Sequence, residues 1–341
     1  MKIGLMMAPR NLPSRPKSPA EFYQDYIGDA VRAERLGLDY VWVGEHHMRE
    51  CQWTPSSIVT ISAVASLTKR IRLGTAIICL PFHNPLRLAE DVAVVDAISG
   101  GRFEFGIGPG SQYEEFRTFG ISPKEMFGRS WEAIDFIERC FGPEKHFDHH
   151  GNYYNFEDVT FTTKPVQKRV PIWWGGFGPK NLQNAARRGY HLFSPGSPVY
   201  DEALRAAGRD PSQFHSGFGP FLSLADTREK AFEAAAEGVM YFLNFYIMRK
   251  NLEGVSPPPE AALTLEKMAA ANGPVPPTEL APFPFIADTP EAAVPRLKEM
   301  IARMPRKASH LPINFRFPGS KSEDVERSME LFATRVRPFL D

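Results

Sequence analysis

Cysteine is scarce in this sequence, and the few cysteines are not spaced for pairing. Cys51, Cys79 and Cys140 are the only three among 341 residues. An odd number at such wide spacing predicts neither a disulfide framework nor a zinc-ligand motif. It is typical of proteins kept in a reducing compartment. We therefore expect a cytoplasmic protein with no metal site.

Long apolar runs and an excess of charge of one sign are also missing. The apolar start from Ile3 to Ala8 ends at Pro9 and Arg10, which is too short for a signal peptide. No stretch approaches the roughly 20 apolar residues of a membrane-spanning helix. Lysine plus arginine equals aspartate plus glutamate, 40 each, so no global basic field attracts nucleic acid. The expected partners are therefore small molecules, neither nucleic acid nor membrane.

Short apolar runs alternate with longer amphipathic segments along the chain, which favours a parallel α/β architecture in a single domain, residues 1–341. Eight strands are predicted, at 2–8, 40–44, 71–80, 103–107, 171–174, 190–193, 214–224 and 310–317. The principal helices are predicted at 19–36, 56–67, 85–98, 124–140, 179–188, 227–248 and 322–339. Ser18 is the predicted N-cap of the first helix.

Two stretches interrupt this alternation. Residues 145–161 predict a β-hairpin insertion that turns at Gly151-Asn152. Residues 249–284 contain the proline clusters 257–259 and 276–277, which prevent regular structure across the whole segment. Such a long connection is either a linker or a functional lid, and we predict a mobile lid over the active site.

The first candidate site is the tripeptide Glu45-His46-His47, directly after the second predicted strand. The carboxyl ends of barrel strands face the active site, and a histidine there supplies a general base near neutral pH. The alternative is that these histidines only hydrogen-bond the backbone of a loop. A zinc site is disfavoured, because adjacent ligands diverge and no third ligand stands at a standard spacing.

Two further clusters carry small residues at strand ends. The second cluster runs from Gly74 to Glu90 and includes His83. Its small residues Gly74 to Ala76 would let a planar ring approach the backbone of the third strand, although they also fit an ordinary core strand. Gly108, Gly110 and Ser111 follow the fourth strand. Pro109 and the missing acidic ribose partner argue against a dinucleotide fingerprint, so we interpret this loop as one whose amides contact a ligand.

The fourth cluster is the best candidate for a phosphate cradle. Gly176, Phe177 and Gly178 form a turn that opens a predicted helix, and Lys180 and Asn181 follow. Free backbone amides and the helix dipole at such a turn favour an anion, and the lysine adds positive charge. The alternative is a simple tight turn that starts a helix.

In this order, the four clusters resemble the bacterial luciferase-like flavin-dependent monooxygenases. The similarity is strongest from Tyr40 to Gly120, which includes Val41 to His47 and Leu88 to Val92. It continues through 172–189 and into the last helix around 328–338. It covers most of the chain except roughly 249–284. Each motif is only moderately specific, whereas the ordered set is highly specific.

The resemblance implies a (β/α)8 TIM barrel with insertions that holds FMN at the carboxyl ends of its strands. It makes His46 the catalytic histidine, assisted by the loop that carries Glu45 and His47. It also implies a cis peptide bond between Ala76 and Ile77. This places Thr75, Ala76 and Ile77 beside the flavin.

The resemblance also implies a reaction. Reduced FMN, delivered by a separate flavin reductase, acts with molecular oxygen on a small organic substrate, and the aromatic residues near the mouth suggest an apolar or aromatic compound. Luciferase has Cys-Arg where this chain has Gly108-Pro109, so we expect a non-luminescent enzyme. A homodimer is expected as well. Alternatives are a deazaflavin-dependent oxidoreductase of the same fold and a non-catalytic flavin-binding protein; a zinc hydrolase is a more distant one.

Overall fold

The computed structural model describes residues 1–48, 51, 54–271, 284–304 and 309–340. Short strands alternate with longer helices over most of this length. The strands are β1 (Lys2–Met7), β2 (Tyr40–Val43), β3 (Arg72–Thr75), β4 (Ile78–Cys79), β5 (Phe103–Gly108), β6 (His146–His150), β7 (Asn155–Thr160), β8 (Ile172–Trp174), β9 (His191–Leu192), β10 (Phe221–Leu224), β11 (Phe285–Asp288) and β12 (His310–Ile313).

The helices follow and connect these strands. They are α1 (Pro19–Arg35), α2 (Ser57–Leu67), α3 (Pro85–Ser99), α4 (Tyr113–Thr118), α5 (Met126–Phe141), α6 (Pro179–Arg188), α7 (Pro198–Ala206), α8 (Arg228–Ile247), α9 (Leu265–Ala271), α10 (Pro290–Ala302) and α11 (Ser322–Leu331). Helices α1, α3, α8 and α10 begin with residues whose side chains cap them, Ser18, Asn84, Thr227 and Thr289. Ser18 forms a capping box with Glu21, as its position before the first helix predicts. None of the helices in the described ranges combines the length and apolar character needed to cross a membrane.

A curled parallel sheet organises the fold. Its hydrogen-bonded order is β12-β1-β2-β3-β5-β8-β9, and β4 pairs with β5. Isolated parallel bridges join Leu192 to Ser216 and Gly217 to His310, so residues 216 and 217 connect the two outer strands. Because the strands run in one direction, the loops that follow β2, β3, β5 and β8 emerge at the same edge. Those loops carry all four candidate clusters.

Aromatic rings fill the face of the sheet away from the helices. Trp42 and Trp173 are buried with their ring centroids 5.1 Å apart, and Tyr40 stands against Trp42 at 5.7 Å. Glycine makes room for them: a Cβ at Gly4 would lie 2.3 Å from the Tyr40 ring, and one at Gly74 would lie 2.2 Å from the Trp42 ring. The opposite face, with alternate residues such as those at 41 and 43, packs into the main apolar core.

The structure differs from the predicted elements at three strands. The predicted third strand, 71–80, is two strands separated by a cis peptide bond at Ala76–Ile77, the bond that the resemblance implies. The predicted seventh strand, 214–224, is regular only in β10, after Pro220, which has no N–H to donate. Strand β10 pairs with β11, which lies outside the predicted set. Residues 146–160 form the antiparallel pair β6–β7.

Candidate active site

His46 lies just after β2, between an acid and a phenol. Its Nδ1 is 3.3 Å from Oε1 of Glu115, and its Nε2 is 2.8 Å from the hydroxyl of Tyr246. The same Glu115 oxygen accepts the backbone N–H of His47 at 2.8 Å. Because the Glu115 carboxylate oxygen only accepts hydrogen bonds, Nδ1 of His46 must carry the ring proton. Nε2 then accepts a hydrogen bond from the Tyr246 hydroxyl. We call Glu115, His46 and Tyr246 the proton relay.

The surroundings of the relay favour a neutral imidazole. Burial lowers the pKa of His46 below its ordinary 6.5, the hydrogen bond to Glu115 opposes this, and the positive charge of Arg10 adds to the lowering. Burial also raises the pKa of Tyr246, so its hydroxyl keeps its proton and acts as a donor. The His46 side chain remains 18 % exposed, whereas Glu115 is fully buried. The relay can therefore accept a proton at Nε2 of His46 by way of the Tyr246 hydroxyl that contacts it.

Glu45 and His47 belong to a separate buried network. Oε1 of Glu45 is 3.1 Å from Nε2 of His47, 2.9 Å from Nε2 of His83 and 3.1 Å from the backbone N of Cys79. Burial alone would raise the pKa of Glu45, but the charge of His83 and the hydrogen bonds from both histidines lower it to about 2. The pKa of His83 is raised by the Glu45 charge, against the effect of burial. This network ties the loop after β2 to β4 and to the start of α3.

The ligand atoms of Glu45, His47 and His83 all lie within 4.8 Å of one another, close enough to hold a metal ion. The sequence prediction of no metal considered neighbouring residues only, and His83 comes from a different loop. One oxygen of Glu45 lies within hydrogen-bond distance of all three nitrogen donors of the network. The carboxylate is thus satisfied by protein groups, as a buried charge requires.

The residues predicted to contact a flavin ring meet at the ends of β3 and β5. Thr75 is fully buried and locks these strands together: its Oγ1 donates to the carbonyl of Gly106 at 2.6 Å and accepts its N–H at 2.9 Å. The Ile77 side chain lies between two glycines, because a Cβ at Gly108 or Gly175 would come within 2.2 or 2.6 Å of it. The structure therefore brings three predicted clusters to one edge.

The turn before α6 presents an open helix N-terminus. Gly178 is the N-cap residue, with a φ of 87° and no side-chain cap. Phe177 is 77 % exposed, Lys180 is exposed, and the Asn181 amide donates to the Phe177 carbonyl at 3.0 Å. Gly176, in contrast, is buried against the Trp174 ring. The amides of this turn are available to an anion in the way that helix N-termini generally are.

Part of the proline-rich segment 249–284 lies beside this edge. Arg249 donates to the Ser111 hydroxyl at 3.0 Å, and a Cβ at Gly254 would lie 3.1 Å from the Tyr113 ring. Met268, in α9, is 4 % exposed and packs with the buried face of α8. Residues 272–283 lie outside the described part of the chain, so the predicted lid is described only over 249–271 and at 284.

Four residues of the site were not singled out as site residues from the sequence. Glu115 stands inside a run that resembles the family, and His83 stands inside the second cluster without an assigned role, because neither had a partner within its own segment. Tyr246 lies within a long amphipathic helix and carries no local signal. Arg10, at the end of the first apolar run, lies 4.9 Å from the ring centroid of Tyr246 in the structure. Only contacts between distant segments reveal these residues.

Comparisons with known proteins give the family and the fold of the chain. The model of the luciferase-like monooxygenase family matches residues 1–268. Protein y4vJ of Sinorhizobium fredii is 33% identical over 178 residues, which is 52% of this chain and 50% of that protein. The chain thus matches about half the length of that relative. The oxygenase component of the flavin-dependent trigonelline monooxygenase of Acinetobacter baylyi is 27% identical over 73% of this chain and 72% of its own.

The relatives use two kinds of coenzyme. The F420-dependent glucose-6-phosphate dehydrogenase of Amycolatopsis mediterranei is 27% identical over 95% of this chain and 97% of its own. Among solved structures, the monooxygenase RslO1 of Streptomyces bottropensis has a TM-score of 0.83 at 22% identity over the whole of both chains. The oxygenating constituent of 3,6-diketocamphane monooxygenase of Pseudomonas putida, in complex with FMN, has a TM-score of 0.78 at 22% identity, over 99% of this chain and 98% of its own. These likenesses show a luciferase-like fold with a curled parallel sheet.

Proposed function

The chain belongs to the luciferase-like monooxygenase family, and on that basis we propose that it is an FMN-dependent monooxygenase acting on a small organic substrate. The observation that carries the proposal is the proton relay beside an edge that fits a flavin. When bound, reduced FMN would be the group that reacts with molecular oxygen. A separate reductase would supply the reduced flavin. We expect no light emission, since Gly108-Pro109 stand where luciferase has Cys-Arg.

The residues at the strand ends fit FMN. An added Cβ at Gly178 meets nothing closer than 3.8 Å, so a phosphate can approach the turn before α6. Lys180 and the backbone amides of that turn would hold the phosphate, and Asn181 would support the turn. Thr75, Ala76 and Ile77 would carry the ring, next to the loop of Gly108, Gly110 and Ser111.

The proton relay gives His46 its role in this proposal. With Nδ1 hydrogen-bonded to Glu115, the ring is held in one orientation and its Nε2 is the basic atom. The Tyr246 hydroxyl donates to that atom and would pass a proton to or from the substrate side. Glu45 and His47 act as positioning residues, since their network holds the loop that carries His46.

Several features of the whole protein belong to the same proposal. The sheet would close into a (β/α)8 barrel through the bridges at residues 216 and 217. The segment that begins at Arg249 would act as a lid, which its contact with Ser111 supports. Helices α2 and α3 would form a homodimer interface, and the setting would be the cytoplasm. The hairpin β6–β7 would be an insertion outside the barrel.

The relative that uses F420 over nearly the whole chain makes hydride transfer by a deazaflavin the second candidate function. Anaerobic titration with reduced FMN and with reduced F420, followed by admission of oxygen, separates the two. We expect FMN to bind and oxygen to be consumed with a flavin reductase present. Binding of F420 alone would overturn the proposal. Bound FMN without any oxygenated product across a substrate panel would indicate the non-catalytic flavin-binding protein.

A further inference from the structure

Arg10 is a buried cation without an acceptor. It follows β1 and is 2 % exposed, and its Nε, Nη1 and Nη2 atoms are buried with no hydrogen-bond partner among the residues that the structure describes. Its backbone N–H donates to the hydroxyl of Tyr26 at 3.3 Å. This bond fixes the main chain and gives the guanidinium no acceptor. Buried charges are usually paired, because an uncompensated charge is costly to remove from water.

Aromatic rings of α8 surround this guanidinium. Its Cζ lies 4.2 Å from the Phe242 ring centroid, 4.1 Å from that of Phe245 and 4.9 Å from that of Tyr246. Cation–π attraction to these rings offsets part of the cost of burial. Of these rings only Tyr246 carries an oxygen, its hydroxyl, which is hydrogen-bonded to His46. A single hydroxyl cannot accept the five N–H groups of a guanidinium, whereas a carboxylate accepts two of them side by side. The charge is therefore accommodated but its donors are not satisfied.

Another buried arginine, Arg316, has the carboxylate partners that Arg10 lacks among the described residues. The side chain of Arg316 is 6% exposed and pairs with Asp25 and Asp29. Oε1 of Glu115, the acid of the proton relay, accepts from both His46 and the His47 backbone. Oε2 of Glu115 is buried without a hydrogen-bond partner among the described residues, so it does not pair with Arg10 either. Arg10 thus differs from its neighbour in having no carboxylate supplied by the described chain.

The position of Arg10 points to a substrate rather than to the fold. Its Cζ lies 4.9 Å from the ring centroid of Tyr246, a member of the proton relay, so Arg10 lies at the relay and on the side where the reaction takes place. We propose that Arg10 is a specificity-determining residue that binds a carboxylate of the substrate, which makes the substrate class an apolar or aromatic carboxylic acid. The Phe242 and Phe245 rings beside it suit the apolar body. The proposal rests on the proposed function for the reaction, but the anion site itself does not require it.

A guanidinium that is buried among aromatic rings discriminates strongly between charged and neutral ligands. A carboxylate accepts two N–H groups side by side, and the fork geometry of arginine matches it. A neutral amide of the same shape leaves the charge unpaired and is rejected. The preference for an acid over its amide is therefore the measurable signature of this site.

The test uses the full chain and three probe acids of increasing size, acetate, benzoate and 2-naphthoate, each with its amide. Binding is measured by calorimetry with and without FMN. We expect at least one acid to bind more tightly than its amide. Arg10→Gln should weaken that acid by about 30-fold or more, the range for truncating one partner of a buried charge pair, and leave the amide unchanged. Arg10→Lys should restore part of the affinity.

The control is Arg15→Gln, which removes an exposed arginine paired with Glu237 on the surface. Circular dichroism verifies that each variant is folded. The absence of acid binding in all three pairs, or equal binding of acid and amide, would overturn the inference, as would unchanged acid affinity in a folded Arg10→Gln protein. Acid binding that depends on Arg10 in a chain that fails to bind FMN would leave the inference standing and remove the proposed function.

Discussion

His46 is the residue on which the proposed chemistry depends. Replacing it with alanine removes the atom that accepts a proton, so turnover should fall by about 10²–10⁴, the usual effect of losing a general acid or base. The affinity for FMN should change little, because the phosphate turn lies in another loop. Steady-state turnover and flavin titration measure the two effects. His150→Ala, on the exposed strand β6, is the matched control, and unaltered turnover in His46→Ala would remove this residue from the mechanism.

The Glu115 charge makes a prediction about pH. The pKa of His46 lies below its ordinary 6.5, so the neutral ring persists to lower pH and activity should fall only as pH drops through that lowered pKa. Since Glu115 raises the pKa of His46, Glu115→Gln should lower it further and move the acid limb of kcat/KM to lower pH. Glu157→Gln, on the hairpin, is the control. An acid limb displaced upwards would contradict the relay as described.

The loop between β2 and α2 depends on the Glu45 network for its stability. Glu45 has a pKa of about 2 in place of 4.5, so its contribution is present above pH 4.5 and lost as pH falls towards 2. The pKa of His83 is raised above 6.5, so its contribution is present below pH 6.5 and lost as pH rises through the raised value. The network should therefore stabilise the fold most between pH 4.5 and pH 6.5.

Breaking this network should be costly. Glu45→Gln leaves buried His47 and half-buried His83 without their carboxylate and should lower the free energy of unfolding by about 3–5 kcal/mol, the range for breaking a buried ion pair. Thermal and urea unfolding at pH 5.5 measure the change. Glu90→Gln, which removes a half-exposed carboxylate from an ion pair on the surface of α3, is the control. Equal unfolding curves for the two variants would show that the network does not stabilise the fold.

The start of α6 carries the prediction for cofactor binding. Gly178→Asp places a negative charge and a side chain at a position with a φ of 87°, where the phosphate would lie. FMN affinity should fall by at least about tenfold, because repulsion replaces the favourable helix N-terminus. Gly208→Asp makes the same change at an exposed glycine of similar φ, 70°, and should leave FMN binding unaltered. Equal affinities in both variants would place the phosphate elsewhere.

At the scale of the whole molecule, helices α2 and α3 present an apolar surface. They pack against each other, yet Val59 is 68 % exposed, Leu67 59 %, Val94 46 % and Ile98 50 %. Apolar side chains grouped in this way favour a two-fold interface. We expect a dimer by light scattering at micromolar concentration, and Ile98→Glu should shift it to a monomer.

The control for the dimer is Val255→Glu, at a valine that is 60 % exposed in the segment after α8. It should leave the mass unchanged. A monomeric mass for the unmodified chain would reject the dimer. A monomer produced equally by both substitutions would show that charge in general, rather than this surface, controls association.

The sequence alone determined the elements whose signals are local. Ser18 as N-cap and the glycine-rich turn before α6 each act within a few residues, so these boundaries were predictable. It also predicted that the candidate clusters follow strands. The third strand was predicted as continuous because its apolar pattern shows no sign of the break at Ala76–Ile77, which only the resemblance implied.

Only the tertiary structure decided which side chains meet. His46 contacts Glu115 and Tyr246, which are 69 and 200 residues away in the sequence, and Arg10 lies under rings of α8. Local periodicity reports which face of an element is buried, but it holds no information on the partner across the sheet. The relay, the Glu45 network and the unpaired guanidinium arise because parallel strands bring distant loops to one edge.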